Sequence, residues 1–217
     1  MSIVEYIGKY WAGAEVMYGI IITMTFTSVL RGYPVVLEFI LYGVIFAALF
    51  CCIAWGFADG MFYSWERNYI IRGENKIIEY SKNDQTEAAV ALIEEQLDDT
   101  ILRNIPGEDR TQLYEKLVHY LSTVERKEKV SLKEAMQIIF GTFVLSAGAG
   151  LIVISPFFVI ENVQEALAVS NLFGILLLFG VGYFRATEQK VSARVIFGFG
   201  SSLIGIIIAG ITVVLGG

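Results

Sequence analysis

Cysteine, histidine, proline and charge are all scarce in this chain. The 217 residues hold two cysteines, the adjacent Cys51 and Cys52. Sequence neighbours in a helix do not readily pair, so no disulfide framework or cysteine metal cluster is available, and both read as small packing residues. The one histidine, His119, leaves little for a nucleophile-and-base arrangement, and no Gly-rich phosphate loop or nucleotide motif is present. An enzyme is not expected, nor is a nucleic-acid partner. Charged residues make up 18% of the chain against 55% hydrophobic, with a mean hydropathy of +0.61. That is too little charge to coat a soluble domain of this size, so lipid is the expected solvent.

What the chain has in quantity is long apolar stretches, at about residues 12–30, 35–62, 134–159, 166–184 and 193–215. Each is long enough to cross a bilayer as a helix. A charged insert separates the second stretch from the third. The expected fold is all-α: a polytopic membrane protein with five transmembrane helices and a small helical cytosolic domain. Residues 1–64 hold helices one and two, 65–132 the cytosolic domain, and 133–217 helices three to five. The first span lacks a basic leader and a small-residue cleavage site, so it is expected to remain in the protein.

The net charge of −6 hides a strong asymmetry. Lys9, eleven basic residues from Arg67 to Lys133, and Arg185, Lys190 and Arg194 all fall on one side of the expected spans, against Arg31 alone on the other. Loops rich in lysine and arginine stay cytoplasmic. The N-terminus and the insert are therefore expected in the cytoplasm and the C-terminus outside, with a prokaryotic plasma membrane as the expected location.

Within the insert, span two runs on without a helix breaker until Gly73. Asp84 or Thr86 then suits the cap of a helix carrying Val90, Ile93, Leu97 and Ile101 at helical spacing. A turn at Pro106–Gly107 leads to a second helix with Leu113, Leu117, Leu121 and Val124 on one face, and Glu108 and Asp109 at its positive end. Spans three to five are rich in Gly, Ala and Ser, including Gly141 to Gly150, Gly174, Gly180, Gly182, Ser201 and Gly205. Small residues let helix backbones approach closely where no hydrophobic force drives helices together.

Ionisable residues inside spans are costly and mark function. Glu15 lies about one turn inside span one and Asp59 near the end of span two, so antiparallel helices bring both to the cytoplasmic third of the membrane, where they can face each other. Two carboxylates there suit a divalent cation, since each brings hard oxygen ligands and exchanges protons as metal binds or leaves. Met17, Met24 and Met61 lie in the same helices and offer the softer thioether suited to a transition metal. The competing reading has Glu15 reaching the interface beside Tyr10 and Trp11 while Asp59 merely ends its span. In the insert, Glu87, Glu94 and Asp98 fall close to one face with Glu95 and Asp99 beside them, and Glu115 and His119 have the four-residue spacing that places two ligands on one helical face. Such stripes are also ordinary solvated surfaces.

The order of two spans, an acidic helical insert and three spans resembles the vacuolar iron transporter family. Ala135, the run Gly141, Thr142, Phe143, Ser146, Ala147, Gly148, Ala149 and Gly150, and then Pro156–Phe157 resemble that family's third span. Ala168, Ser170, Phe179 and Gly180 are similar to its fourth, and residues 198–216 to the texture of its fifth. Departures fall in the first two spans. The family's Asp-Gly pair reads Tyr18–Gly19 here, with Glu15 as the nearest acid, and its Ser-Met and Gly-Glu-Tyr pattern becomes Gly60, Met61, Phe62 and Ser64, with the acid at Asp59. The resemblance implies export of Fe2+ or Mn2+ from the cytoplasm in exchange for protons, by a homodimer. It also strengthens Glu94, Glu95, Asp98 and Glu115 as metal-binding residues of the insert. A membrane-embedded sensor or assembly protein whose acidic helices dock a partner, and a passive cation channel, are the alternatives.

Overall fold

The computed structural model describes residues 8–30, 37–97, 99–187 and 190–216. All regular structure among them is helical: α1 (Lys9–Val29), α2 (Leu37–Lys82), α3 (Thr86–Leu97), α4 (Gly107–Leu121), α5 (Leu132–Ile154), α6 (Val163–Arg185) and α7 (Val191–Gly216). Two short 3-10 turns, Ile101–Asn104 and Ser155–Phe158, follow α3 and α5. The chain divides into two compact units, residues 1–63 with 132–217, and residues 64–131.

Among the described residues, four helical stretches are long and apolar enough to cross a membrane, namely Trp11–Val29, Phe39–Lys82, Leu132–Phe158 and Val163–Arg185. The chain is an integral membrane protein on this evidence of length and composition. The described apolar part of α7, Val191–Ile207, is shorter. Side chains such as Phe39, Phe46, Phe50, Phe57 and Phe62 point outward, as lipid allows and water would not.

Helices in lipid associate by fit and by internal hydrogen bonds. On α2 the buried positions run Leu41, Ile45, Ala48, Cys52, Gly56, Gly60 and Ser64, a stripe at three- and four-residue spacing. The inner stripe of α1 holds Glu15, Gly19, Thr23 and Thr27 at every fourth position, all buried. Opposite them, α5 presents Ile138, Thr142, Ser146 and Gly150. The glycines set the separation. A Cβ at Gly19 would collide with the Ser146 carbonyl oxygen, one at Gly60 would lie 2.5 Å from Ile139 Cα, and one at Gly56 2.8 Å from Phe143 Cα. Thr23 and Thr27 donate to the carbonyls of Gly19 and Thr23, at 2.8 and 2.9 Å, and Thr142 donates to Ile138 at 2.7 Å, so each hydroxyl is satisfied within its own helix. Between helices, Ser170 donates to the Val153 carbonyl (2.7 Å) and Ser202 to that of Ile175 (3.0 Å). Asn162 caps α6, its side chain accepting from the amides of Gln164 and Glu165.

The small residues of the later spans divide by contact. Gly174 meets the Met24 side chain, Gly182 meets Ser201, and Gly205 meets Leu178, whereas Gly148 and Gly180 face open space. Sequence spacing alone does not separate these two classes.

In the second unit, α2 does not break at Gly73. That glycine continues the helix, and a Cβ there would lie 2.6 Å from the Gln96 amide nitrogen on α3. The helix ends instead at Lys82 and is closed by Asp84, which adopts a positive φ of 56° while the Gln85 amide reaches back to the Tyr80 carbonyl, a Schellman closure. Asp84 therefore terminates α2 rather than opening α3, and Thr86 is the first residue of α3. The small core joins Ile77, Ala89, Ile93, Tyr114 and Val118. On α4 the buried face centres on Tyr114 and Val118, with Leu113 exposed, so it is rotated from the leucine register read in the sequence. Leu117 and Leu121 still pack against this core, partly buried, beside the large Tyr114 ring. After α4 the chain is held to the α2 extension: the Asn75 amide both donates to the Lys127 carbonyl (2.8 Å) and accepts from its amide (2.7 Å), and Asn68 accepts from Val130 (3.0 Å).

Gly19→Ala is expected to destabilise the first unit by about 1–3 kcal/mol, because backbone must move to admit the methyl group. Gly148→Ala, placed in open space, is expected to change stability by no more than about 0.5 kcal/mol. Thermal melts in one detergent check the contrast, and equal melting temperatures for the two variants would contradict this packing.

Candidate functional site

Glu15 is completely buried, at 0% exposure, among membrane-spanning helices. It does not reach the surface beside Trp11. The Tyr63 hydroxyl on α2 donates to Glu15 Oε1 at 2.6 Å, the short range of a charge-assisted bond. The other oxygen, Oε2, is buried and makes no hydrogen bond. Asp59, one turn before Tyr63 on the same face of α2, lies close enough for its carboxyl to interact with that of Glu15. The Trp11 ring lies 5.6 Å from the Tyr63 ring, at a tilt of 49°.

The local sequence explains the geometry. Alanines at 12 and 14 and Gly19 leave the α1 face low around Glu15, and Gly56 and Gly60 do the same for α2, so two carboxylates and a phenol fit where larger residues would separate the helices. Ser146 on α5 lies against Gly19 and Gly56, and its hydroxyl is also buried without a hydrogen-bond partner. Cys52 lies one further turn along, its sulfur 3.5 Å from both Thr23 Oγ1 and the Gly19 carbonyl. The result is a narrow polar seam with an acidic end.

A carboxylate buried in hydrocarbon is far too costly to stand without compensation. It offers about four lone-pair directions, and Tyr63 takes one. The arrangement suits holding a cation or a proton between Glu15 and Asp59.

The other sequence-derived candidates lie elsewhere. Met61 is two residues from Asp59, about 200° around the helix, on a different face from Asp59 and Tyr63. Met17 accepts from Arg185 Nη1 at 3.1 Å, and Met24 is packed in the apolar core against Gly174. In the second unit Glu94 is ion-paired with Arg110 at 2.8 Å, and Glu95 lines a cleft of about 690 Å3 with Tyr69, Arg72 and Lys76. Glu115 and His119 are exposed on α4, and Asp98 lies outside the described residues. Among the described residues no group of three or more His, Cys, Asp and Glu is arranged to hold a metal ion.

Tyr63 is the participant that spacing reasoning missed. Its signal was present, since it falls four residues after Asp59 and hence on the same helical face. Ser146 had no such signal beyond its place in a run of small residues. No protein-family model matches the chain, and no match is found among curated proteins.

Tyr63→Phe is expected to cost about 1–3 kcal/mol, because it strips the hydrogen bond from a buried carboxylate. In a Glu15→Leu background the same change should cost almost nothing. A double-mutant cycle on melting in detergent measures the coupling, and additive effects would mean that the contact carries no energy.

Proposed function

We propose that the chain is a divalent-cation transporter, with Fe2+ or Mn2+ as substrate, that exports the ion from the cytoplasm against an inward movement of protons. The observation that carries this reading is the fully buried Glu15, hydrogen-bonded on one oxygen by Tyr63, open on the other, and approached by Asp59 inside membrane-spanning helices. Hard oxygen donors and two negative charges favour a divalent cation there. Because metal and proton compete for the same carboxylates, acid on the far side opposes rebinding and favours release. The reading further assigns α7 as a fifth span, the N-terminus and residues 65–132 to the cytoplasm, the C-terminus to the outside, and a homodimeric assembly in a prokaryotic plasma membrane. The basic residues of the second unit and of the α6–α7 connection support that orientation. Ion choice, export and dimer rest on the resemblance to the vacuolar iron transporters.

A second reading is favoured by the charge pattern of the second unit. Glu94, Glu79 and Glu74 are ion-paired with Arg110, Arg126 and Lys127, and Glu95 shares its cleft with Arg72 and Lys76. Acids already neutralised by neighbours are better suited to a mixed-charge docking face than to collecting metal. A sensor or assembly protein is the corresponding function.

Uptake of Fe2+ and Mn2+ into proteoliposomes, with and without a pH gradient, separates the readings. The transporter reading expects gradient-dependent flux that falls at least about tenfold in Glu15→Ala/Asp59→Ala, the effect of removing about 1.4 kcal/mol or more of interaction with the ion. A folded wild-type protein that moves neither ion would retire it, and current without a gradient would point to a passive channel.

A further inference from the structure

We infer that a cleft of the second unit, between the extension of α2 and the end of α3, binds a purine nucleotide, its phosphate on Arg72 and Lys76 and its base on the Tyr69 ring. The cleft holds about 690 Å3, a volume in the range of small-ligand sites, and lies wholly within residues 64–131. Its two walls belong to one core, since Ile77 of α2 packs with Ala89 and Ile93 of α3, so the groups that line it are held in place before a ligand arrives. Gly73 lets the walls come close, because a Cβ there would lie 2.6 Å from Gln96 Nε2.

Charge and spacing identify the occupant. Tyr69, Arg72 and Lys76 recur at three- and four-residue spacing and so share one face of α2. Acids stand near both cations in the sequence, but Glu74 is turned to Lys127 and Glu79 to Arg126. Glu95 shares the cleft and lies beyond ion-pair distance of either cation. Among the described residues Arg72 therefore has no ion pair, and Lys76 has only the face of the Tyr80 ring, 5.6 Å from its Nζ, a neutral partner that leaves the charge uncompensated. Two such cations four residues apart make a seat for a phosphate, with arginine as a two-pronged donor and lysine as a point charge. A base accounts for the rest of the lining. Tyr69 is 78% exposed, a ring on which any base can stack, and Leu92 adds apolar surface. Glu95 accepts from an N–H edge, and the Gln96 amide both donates and accepts. From Tyr69 to Lys76 the helix rises about 10 Å, the scale of one mononucleotide from base to phosphate. A bare phosphate would use neither the ring nor Glu95, whose charge would oppose it.

The experiment is isothermal titration of the purified full chain in detergent with GMP, guanosine, inorganic phosphate and glycerol phosphate, the last being the headgroup fragment of an anionic lipid. GMP is the chosen nucleotide because guanine places two N–H donors side by side for a carboxylate such as Glu95. Wild-type protein should take one GMP, at least about tenfold more tightly than any of the other three. Arg72→Gln/Lys76→Gln should weaken GMP by about tenfold or more, and Tyr69→Ala should bring it down to the level of glycerol phosphate. All three side chains are exposed, so the melting temperatures of these variants should stay within a few degrees of wild type. Glu95→Gln should weaken GMP about fivefold even though it removes a negative charge from the cleft. Folded wild-type protein that binds no GMP, or unchanged GMP affinity in the Arg72→Gln/Lys76→Gln variant, would overturn the assignment. So would equal affinity for GMP and glycerol phosphate, which would give the cations to a lipid headgroup, and so would tighter GMP binding in Glu95→Gln, which would mean that Glu95 only repels the phosphate.

Discussion

Gly19 of α1 rests against a backbone carbonyl of α5, and Gly56 and Gly60 of α2 rest against the same helix. With ordinary side chains at these positions the three helices would stand further apart, and Glu15 would face lipid or a cavity. At the observed separation it meets Tyr63 on one oxygen and is shut away from solvent on the other. The close backbone approach is thus the condition for the acidic site, because it removes the water that would otherwise solvate the carboxylate. The same approach leaves Ser146 with an unsatisfied hydroxyl. Glu15 Oε2 and Ser146 Oγ, two buried polar atoms without a hydrogen bond, thus lie along one seam, and such costs persist where function requires them.

The seam is a place where strength and strain coexist. Thr23, Thr27 and Thr142 turn their hydroxyls back onto their own helices, so they are neutral to their neighbours and allow tight packing. Glu15 cannot do this. Its compensation must come from α2, which ties the acidic end of α1 to the face of α2 bearing Asp59 and Tyr63. Any movement that separates α1 from α2 would expose the carboxylate pair, and any ligand cation there would hold the two helices together. A transporter needs such a coupling between occupancy and helix position. On another face of α1, Gly13 gives the same freedom of approach to the Arg185 side chain instead of a backbone.

The second unit follows different rules. Its core is a handful of aliphatic residues around Tyr114, and on its surface Glu74, Glu79 and Glu94 are ion-paired with bases. Such exposed pairs add little stability each. The two-sided amide clamp of Asn75 on Lys127 and the Asn68 contact with Val130 do more to define the path of the connecting chain, because they satisfy backbone groups that no helix or strand provides for.

The helical class, the long apolar segments, the charged insert and the nearness of Glu15 to Asp59 were legible in the amino-acid sequence, because hydrophobicity, period and charge are local properties that survive without tertiary context. The sequence also misplaced particular features. Gly73 read as a helix breaker yet lies within α2, against Gln96, and of the two residues suited to open the next helix, Asp84 closes the helix before it while Thr86 begins α3. The buried face of α4 centres on Tyr114 and Val118, with Leu117 and Leu121 at its border and Leu113 exposed, because which face is buried depends on what stands opposite. Helix packing set the partner of Glu15 as Tyr63, left the Ser146 hydroxyl unmet and selected which glycines touch a neighbouring helix. Those outcomes depend on the rotation and separation of helices distant in sequence, and a few degrees or a few tenths of an ångström there are not written in any single segment.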